Sequence, residues 1–218
     1  MQIRWIALPI FVMAALVLAC GGDKQTTSTP LPTQTVAGVG ERPITAGWQR
    51  LTGGDAKIDV PLAFVHGDRD INNIVERLKE LAPEFAQQAE AIRSHPEYYP
   101  IFAIDESRQD ETGFPTTLNV AVQPAGGLSA EVVLDGITDA LRSQGSTLID
   151  RRSLKLNGVP FIRAEFEGEF AFATARQVAY VTSISDRLWT IVFATSSTER
   201  DERFPVFEQA AQSFRVGD

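Results

Sequence analysis

The stretch Leu188–Val216, LWTIVFATSSTERDERFPVFEQAAQSFRV, decides the fold. It opens with a period of two. Trp189, Ile191 and Phe193 fall on one face of a strand, and Leu188, Val192 and Ala194 on the other. Apolar residues on both faces describe a strand covered on two sides. The period then lengthens. Thr198 is expected to cap a helix with an acidic first turn, Glu199, Asp201 and Glu202. Phe204, Phe207, Ala211 and Phe214 follow at steps of three and four, one buried stripe. A helix with such a stripe must cover the sheet that the preceding strand belongs to.

Working upstream, the chain reads as hairpins. Thr147 to Leu156 is a strand, Asn157-Gly158 a type I′ turn signal, and Val159 to Glu167 the return strand. Phe170 to Ala175 leads into Arg176–Ile184, and Ser185-Asp186-Arg187 turns that strand into Leu188. Before these comes a helix. Ser129 caps it, Glu131 suits its positive end, and Val133, Leu134, Ile137, Ala140 and Leu141 form its stripe. Gly145 stands where a C-terminal glycine belongs. Gly136 weakens this helix by about 1 kcal/mol relative to alanine.

Further upstream, Trp48 to Leu51 is a short strand closed by Gly53-Gly54. Ala56 to Phe64 alternates, with Ile58, Val60 and Leu62 on one face; Pro61 makes it an edge strand or marks its end. From Ile71 to Ile92, apolar residues recur at helical spacing, with Asp68 or Asp70 as cap and Pro83 as an interruption. Ile101 to Asp105 and Thr117 to Val122 are strands around a polar loop. The fold class is therefore α+β: a mostly antiparallel sheet with helices packed on it, an αβα sandwich.

The N-terminus follows different rules. Arg4 is the single charge before Trp5–Leu18, an apolar run shorter than the roughly twenty residues of a membrane span. It has the size of a signal-peptide core. It ends Leu16-Val17-Leu18-Ala19-Cys20, followed by Gly21-Gly22-Asp23. Residues 23–46 are rich in Thr, Ser, Pro and Gly without a period, a flexible linker. The division is 1–19 signal peptide, 20–46 Cys20 and tether, and 47–218 globular domain. An ordinary secretory signal with a chance cysteine, or an uncleaved anchor, is the competing reading.

The chain has 218 residues and a net charge of -8. Without residues 1–19, 19 basic and 28 acidic side chains remain, or -9. An acidic surface repels phosphate backbones, so no nucleic acid partner is expected. One cysteine permits neither an intrachain disulfide nor a cysteine-based zinc site.

Two resemblances add to this. Leu16–Cys20 resembles the lipobox of bacterial lipoproteins, which implies cleavage before Cys20, acylation of its sulfur, and often acylation of the new amine. The implied place is the bacterial cell membrane, lipid-anchored and outside the cytoplasm. Leu18 departs from the small residue usual at that point. The domain resembles the PsbP-like (Mog1/PsbP) fold. The residues that carry it are Trp48 to Pro61, ending IDVP; Ile104-Asp105; Leu118-Asn119-Val120; the hairpin LNGVPFIRAEFE, Leu156 to Glu167; and the ending Leu188 to Val216. The long helix before His95 departs from the compact loop expected there. The resemblance implies a generally non-catalytic domain that binds and stabilises larger assemblies.

Catalytic motifs are missing: no GxSxG, P-loop, GxGxxG or HExxH. His66 and His95 stand on different elements and read as surface or loop residues. Asp68 to Lys79 starts like a calcium loop, but Asn73 and Lys79 occupy positions that need Gly and Glu. Asp105-Glu106 and Asp110-Glu111 read as solvated loop acids, and Arg151-Arg152 as surface charges on opposite faces. Tyr98, Tyr99 and Phe114, with Phe170 and Phe172, lie in or near loops. They are core satellites or, if exposed together, a partner-binding patch. The leading expectation is a non-enzymatic membrane-anchored binding or assembly module, with no metal and no cofactor, held to the membrane through Cys20 and engaging a protein partner. The alternatives are a carrier of a small apolar ligand or metal ion, and an extracytoplasmic hydrolase.

Overall fold

The computed structural model describes residues 43–66, 76, 90, 92–105, 107, 111–169 and 173–217. The strands are β1 (Trp48–Gly53), β2 (Ala56–Pro61), β3 (Phe64–His66), β4 (Ile101–Asp105), β5 (Thr117–Pro124), β6 (Thr147–Leu156), β7 (Val159–Glu169), β8 (Thr174–Ile184), β9 (Arg187–Ser196) and β10 (Arg215–Val216). Two described helices are α1 (Ala130–Ser143) and α2 (Arg200–Ser213), with short 3-10 turns at Pro96–Tyr98 and Ser197–Glu199.

Among the described residues the main sheet has seven strands in the order β3-β4-β5-β9-β8-β7-β6, every neighbouring pair antiparallel. β9 is central, as its two apolar faces require. Hairpin register is set where expected: Asn157 and Gly158 both have positive φ, 51° and 82°. The β8–β9 turn uses Ser185 and Asp186 with φ of 52° and 57°, left-handed positions held by non-glycine residues.

One face of the sheet is covered by α1. Val133, Leu134, Ile137 and Leu141 pack on Ile162, Ala164, Phe166, Ala179, Val181, Leu188 and Val192. Ser129 Oγ accepts from Val132 N, 3.3 Å, as its sequence position predicts. At the other end Ser146 N donates to the Leu141 carbonyl and Gly145 N to that of Arg142, the Schellman pattern with Gly145 at φ 88°. Ala140 is only half-buried; Thr138 takes the buried place and donates its hydroxyl to the Leu134 carbonyl.

The opposite face carries α2 and a second sheet, β1-β2-β10. Phe207 stacks on Phe193, with centroids 4.7 Å apart and planes 13° apart; Phe214 meets Trp189 at 5.7 Å. The first hairpin thus builds its own small sheet and does not extend the main one. β2 is central there, and Pro61 marks its end. Leu62 does not share the buried face of Ile58 and Val60; it lies in the turn, 63% exposed. Gly53 allows the two sheets to meet, since a Cβ there would lie 1.8 Å from the Pro100 carbonyl oxygen.

Thr198 is not the cap of the C-terminal helix. A 3-10 turn precedes that helix, and Ser196 Oγ accepts from Glu199 N; Thr198 bonds to Ser196 instead. Most of the expected helix at 71–92, with Pro83 and the acids at 68 and 70, lies outside the described residues. Glu76, Glu90 and Ile92 to Ser94 are helical, and Ile92 is buried. Cys20, the signal segment and nearly all of the tether also lie outside them, as do Glu106, Asp110, Phe170 and Phe172.

Candidate functional site

β7 alternates between two environments. Ile162, Ala164 and Phe166 face α1, so Phe161, Arg163, Glu165 and Glu167 face α2. Phe161 belongs to the apolar core on that side. Two and four residues further on, the same row becomes charged. Register places Asp150 opposite Glu165 and Arg152 opposite Arg163 on β6, and Arg176 opposite Glu167 on β8. The first turn of α2 closes over them.

Glu165 is the centre of this cluster, 2% exposed. Its oxygens accept from Arg163 Nη2 at 3.2 Å, Arg176 Nη1 at 3.1 Å, and Arg200 Nε and Nη2 at 3.2 and 3.3 Å. Arg163 is itself 4% exposed and donates to Asp150 at 2.9 Å. Arg200 lies over the Phe204 ring at 4.5 Å. Its bonds to Glu165, then to Asp201, hold its guanidinium above its usual range. Arg152 spans to Glu208 at 3.0 Å. Burial pushes the neighbouring Tyr180 phenol up to about 12, with the Arg163 guanidinium offsetting part of the effect.

Between these groups lies an open cleft of about 380 Å³, lined by β6, β7 and α2. Most of its lining is ionisable: Asp150, Arg152, Arg163, Glu165, Arg200, Asp201 and Glu208. Each carboxylate there has an arginine partner. The cleft therefore presents paired charges of both signs.

Three residues after Arg200, Arg203 ties the same helix turn to the other end of the sheet. It donates to Asp105 at 2.6 Å and to Glu199 at 3.0 Å. Burial opposes the Arg203 charge, but Asp105 and Glu199 more than offset it and hold the guanidinium above its usual range. Asp105 is thus no solvated loop acid. It is 3% exposed and also accepts from Ser107 N and Oγ.

The structure separates the other residues singled out in the sequence. Tyr99 and Phe114 are buried, at 8% and 2% exposure, and only Tyr98 is half-buried at the surface. Packing, and not display, is what holds Tyr99 and Phe114, so the three do not form an exposed aromatic patch. Burial raises the Tyr99 phenol as well. His66 Nδ1 donates to the Phe102 carbonyl at 2.9 Å, whereas His95 is exposed beside Glu97. Arg151 and Arg152 do point to opposite faces, reaching Asp135 and Glu208. Among the described residues, no group of three His, Cys, Asp or Glu side chains could hold a metal ion. No described helix is long and apolar enough to cross a membrane.

The architecture is a PsbP-like α+β fold. The solution structure of cyanobacterial PsbP (CyanoP) from Synechocystis sp. PCC 6803 superposes with a TM-score of 0.52, covering 83% of this chain and 98% of that one at 17% identity. The Ran-binding protein Mog1p of Saccharomyces cerevisiae gives a TM-score of 0.48 at 10% identity, over 78% of this chain and 97% of that one. The immunity protein TplEi of Pseudomonas aeruginosa gives 0.46 at 10% identity, over 78% and 98%. At these identities the likeness is one of fold. No protein-family model and no curated protein matches the sequence.

Proposed function

We propose that this chain is a membrane-anchored extracytoplasmic lipoprotein whose domain is a non-enzymatic binding module for a protein partner. The anchoring half rests on Leu16-Val17-Leu18-Ala19-Cys20. Two acyl chains on one cysteine anchor stably, because each buried CH₂ contributes about 0.8 kcal/mol. The linker at residues 23–46 spans on the order of 25–30 Å as a flexible coil, enough to hold the domain clear of lipid.

The binding half rests on the charged cleft. Its side chains carry both signs, and the buried Glu165 fixes Arg163, Arg176 and Arg200 beneath an opening to solvent. Such a surface suits a polar protein face better than an apolar ligand, whose pockets are lined mainly by hydrophobic side chains. Affinity capture of the acylated protein from detergent-solubilised membrane tests the reading. It predicts a reproducible protein partner that is lost when Arg152 and Glu208 are replaced by alanine. Recovery of no partner under several mild conditions contradicts it.

A further inference from the structure

β6 ends the main sheet. Among the described residues its ladder runs to β7 alone, so one side of a ten-residue strand has no backbone partner there. Edges of this length are templates for a further strand unless something covers them. The pairing to β7 shifts register between Leu148 and Asp150, and Ile149 is 45% exposed there. A bulge bends the strand and ends regular addition. The usable edge is therefore Asp150 to Leu156.

The chain as a whole is acidic, but this edge is not. Arg151, Arg152 and Lys155 stand against the single acid Asp150, and all three cations are exposed. Lys155 has no ion-pair partner among the described residues, while the pairs of Arg151 and Arg152 are themselves partly open to solvent. A second copy of this chain suits the edge poorly. Self-pairing about a two-fold normal to the sheet puts side chains of the same face opposite each other. Registers centred on residues 151, 152 and 153 then oppose Arg151 to Arg151, Arg152 to Arg152, or Arg151 to Lys155. Like charges directly opposite destabilise a pair of strands.

We infer that β6 is a docking edge for an extended acidic segment of a partner protein, which adds to the sheet as an eighth strand. The inference rests on the binding-module reading and names the chemistry of the partner. Acids four residues apart on the incoming strand meet Arg151 and Lys155 on the α1 side; an acid on the other side meets Arg152. The backbone supplies the ladder, and the charges select the partner.

The probe is an alternating Glu-Thr peptide of about eight residues, matched to a typical strand, added to the full chain in non-ionic detergent. Hydrogen exchange of the amides in Asp150–Leu156 should slow, and the effect should weaken with salt. Replacing Arg151 and Lys155 together by Glu should reduce binding about tenfold. These exposed positions leave the core intact, and an unchanged unfolding curve confirms that the variant is folded. The inference is overturned if a Lys-Thr peptide protects β6 equally, or if protection maps elsewhere. It is also overturned if the chain self-associates through β6 at low salt. A captured cellular partner whose footprint avoids β6 would remove the edge inference and leave the binding-module reading standing. Peptide protection of β6 with no recoverable cellular partner would do the reverse.

Discussion

Replacing Glu165 by Gln tests the cleft at its centre. The substitution keeps the shape of the side chain and removes its charge. Glu165 accepts four hydrogen bonds from three arginines, and both it and Arg163 are nearly inaccessible to water. Water therefore cannot replace the lost carboxylate. Breaking a buried ion pair from one side costs about 3–5 kcal/mol, because the remaining charge stays buried without compensation. Asp150 still faces Arg163 at 2.9 Å, which places the expected loss at the lower end, about 3 kcal/mol. For a domain of roughly 170 residues this lowers Tm by about 6–12 °C. The contrast is Arg200→Ala. Arg200 is 38% exposed, so its removal should cost only about 1 kcal/mol. Urea unfolding followed by circular dichroism gives both values, and the double variant gives their coupling. A loss below about 1 kcal/mol for Glu165→Gln, or one no larger than that of Arg200→Ala, would refute the reasoning.

Other outcomes follow from single features. The Tyr180 phenol is neutral when protonated, and its folded value of about 12 lies above the usual 10. Its contribution is fully present below pH 10 and is lost as pH rises towards 12, by about 2–3 kcal/mol. Tyr180→Phe should flatten that part of the stability profile; an unchanged slope would contradict the assignment. Gly53→Ala puts a methyl group into the Pro100 carbonyl, so it should cost about 1–3 kcal/mol, measured by urea unfolding. Phe207→Ala removes the ring stacked on Phe193 and should cost about 3–5 kcal/mol in the same assay. A loss below about 1 kcal/mol would show that α2 does not anchor that face.

Much of the fold is legible because periodicity is local. The two apolar faces of Leu188–Ala194 place β9 at the centre, and Asn157-Gly158 fixes a hairpin by its own conformational preference. Ser129 and Gly145 mark the ends of α1 for the same reason. What escapes is pairing between distant residues. Nothing within Trp48–Pro61 indicates that the hairpin leaves the main sheet, because its partner, Arg215–Val216, is two residues long and lies at the other end of the chain. Asp105 sits beside loop acids and looks solvated; its cationic partner, Arg203, lies 98 positions away. The cleft left one local trace. Phe161, Arg163, Glu165 and Glu167 share a strand face, and a charged row continuing an apolar one needs partners of opposite sign. Arg200, at the head of a helix, is the matching signal. Tyr99 and Phe114 show the converse, since an aromatic residue near a loop carries no local mark of which way it packs.

The central claim is that Cys20 ties a binding module to the membrane. Its most direct test is metabolic labelling with palmitate, comparing the wild-type chain with Cys20→Ala. The account predicts label and membrane retention in the first, and neither label nor lipoprotein processing in the second. Equal labelling of both chains, or none in the wild type, would contradict it.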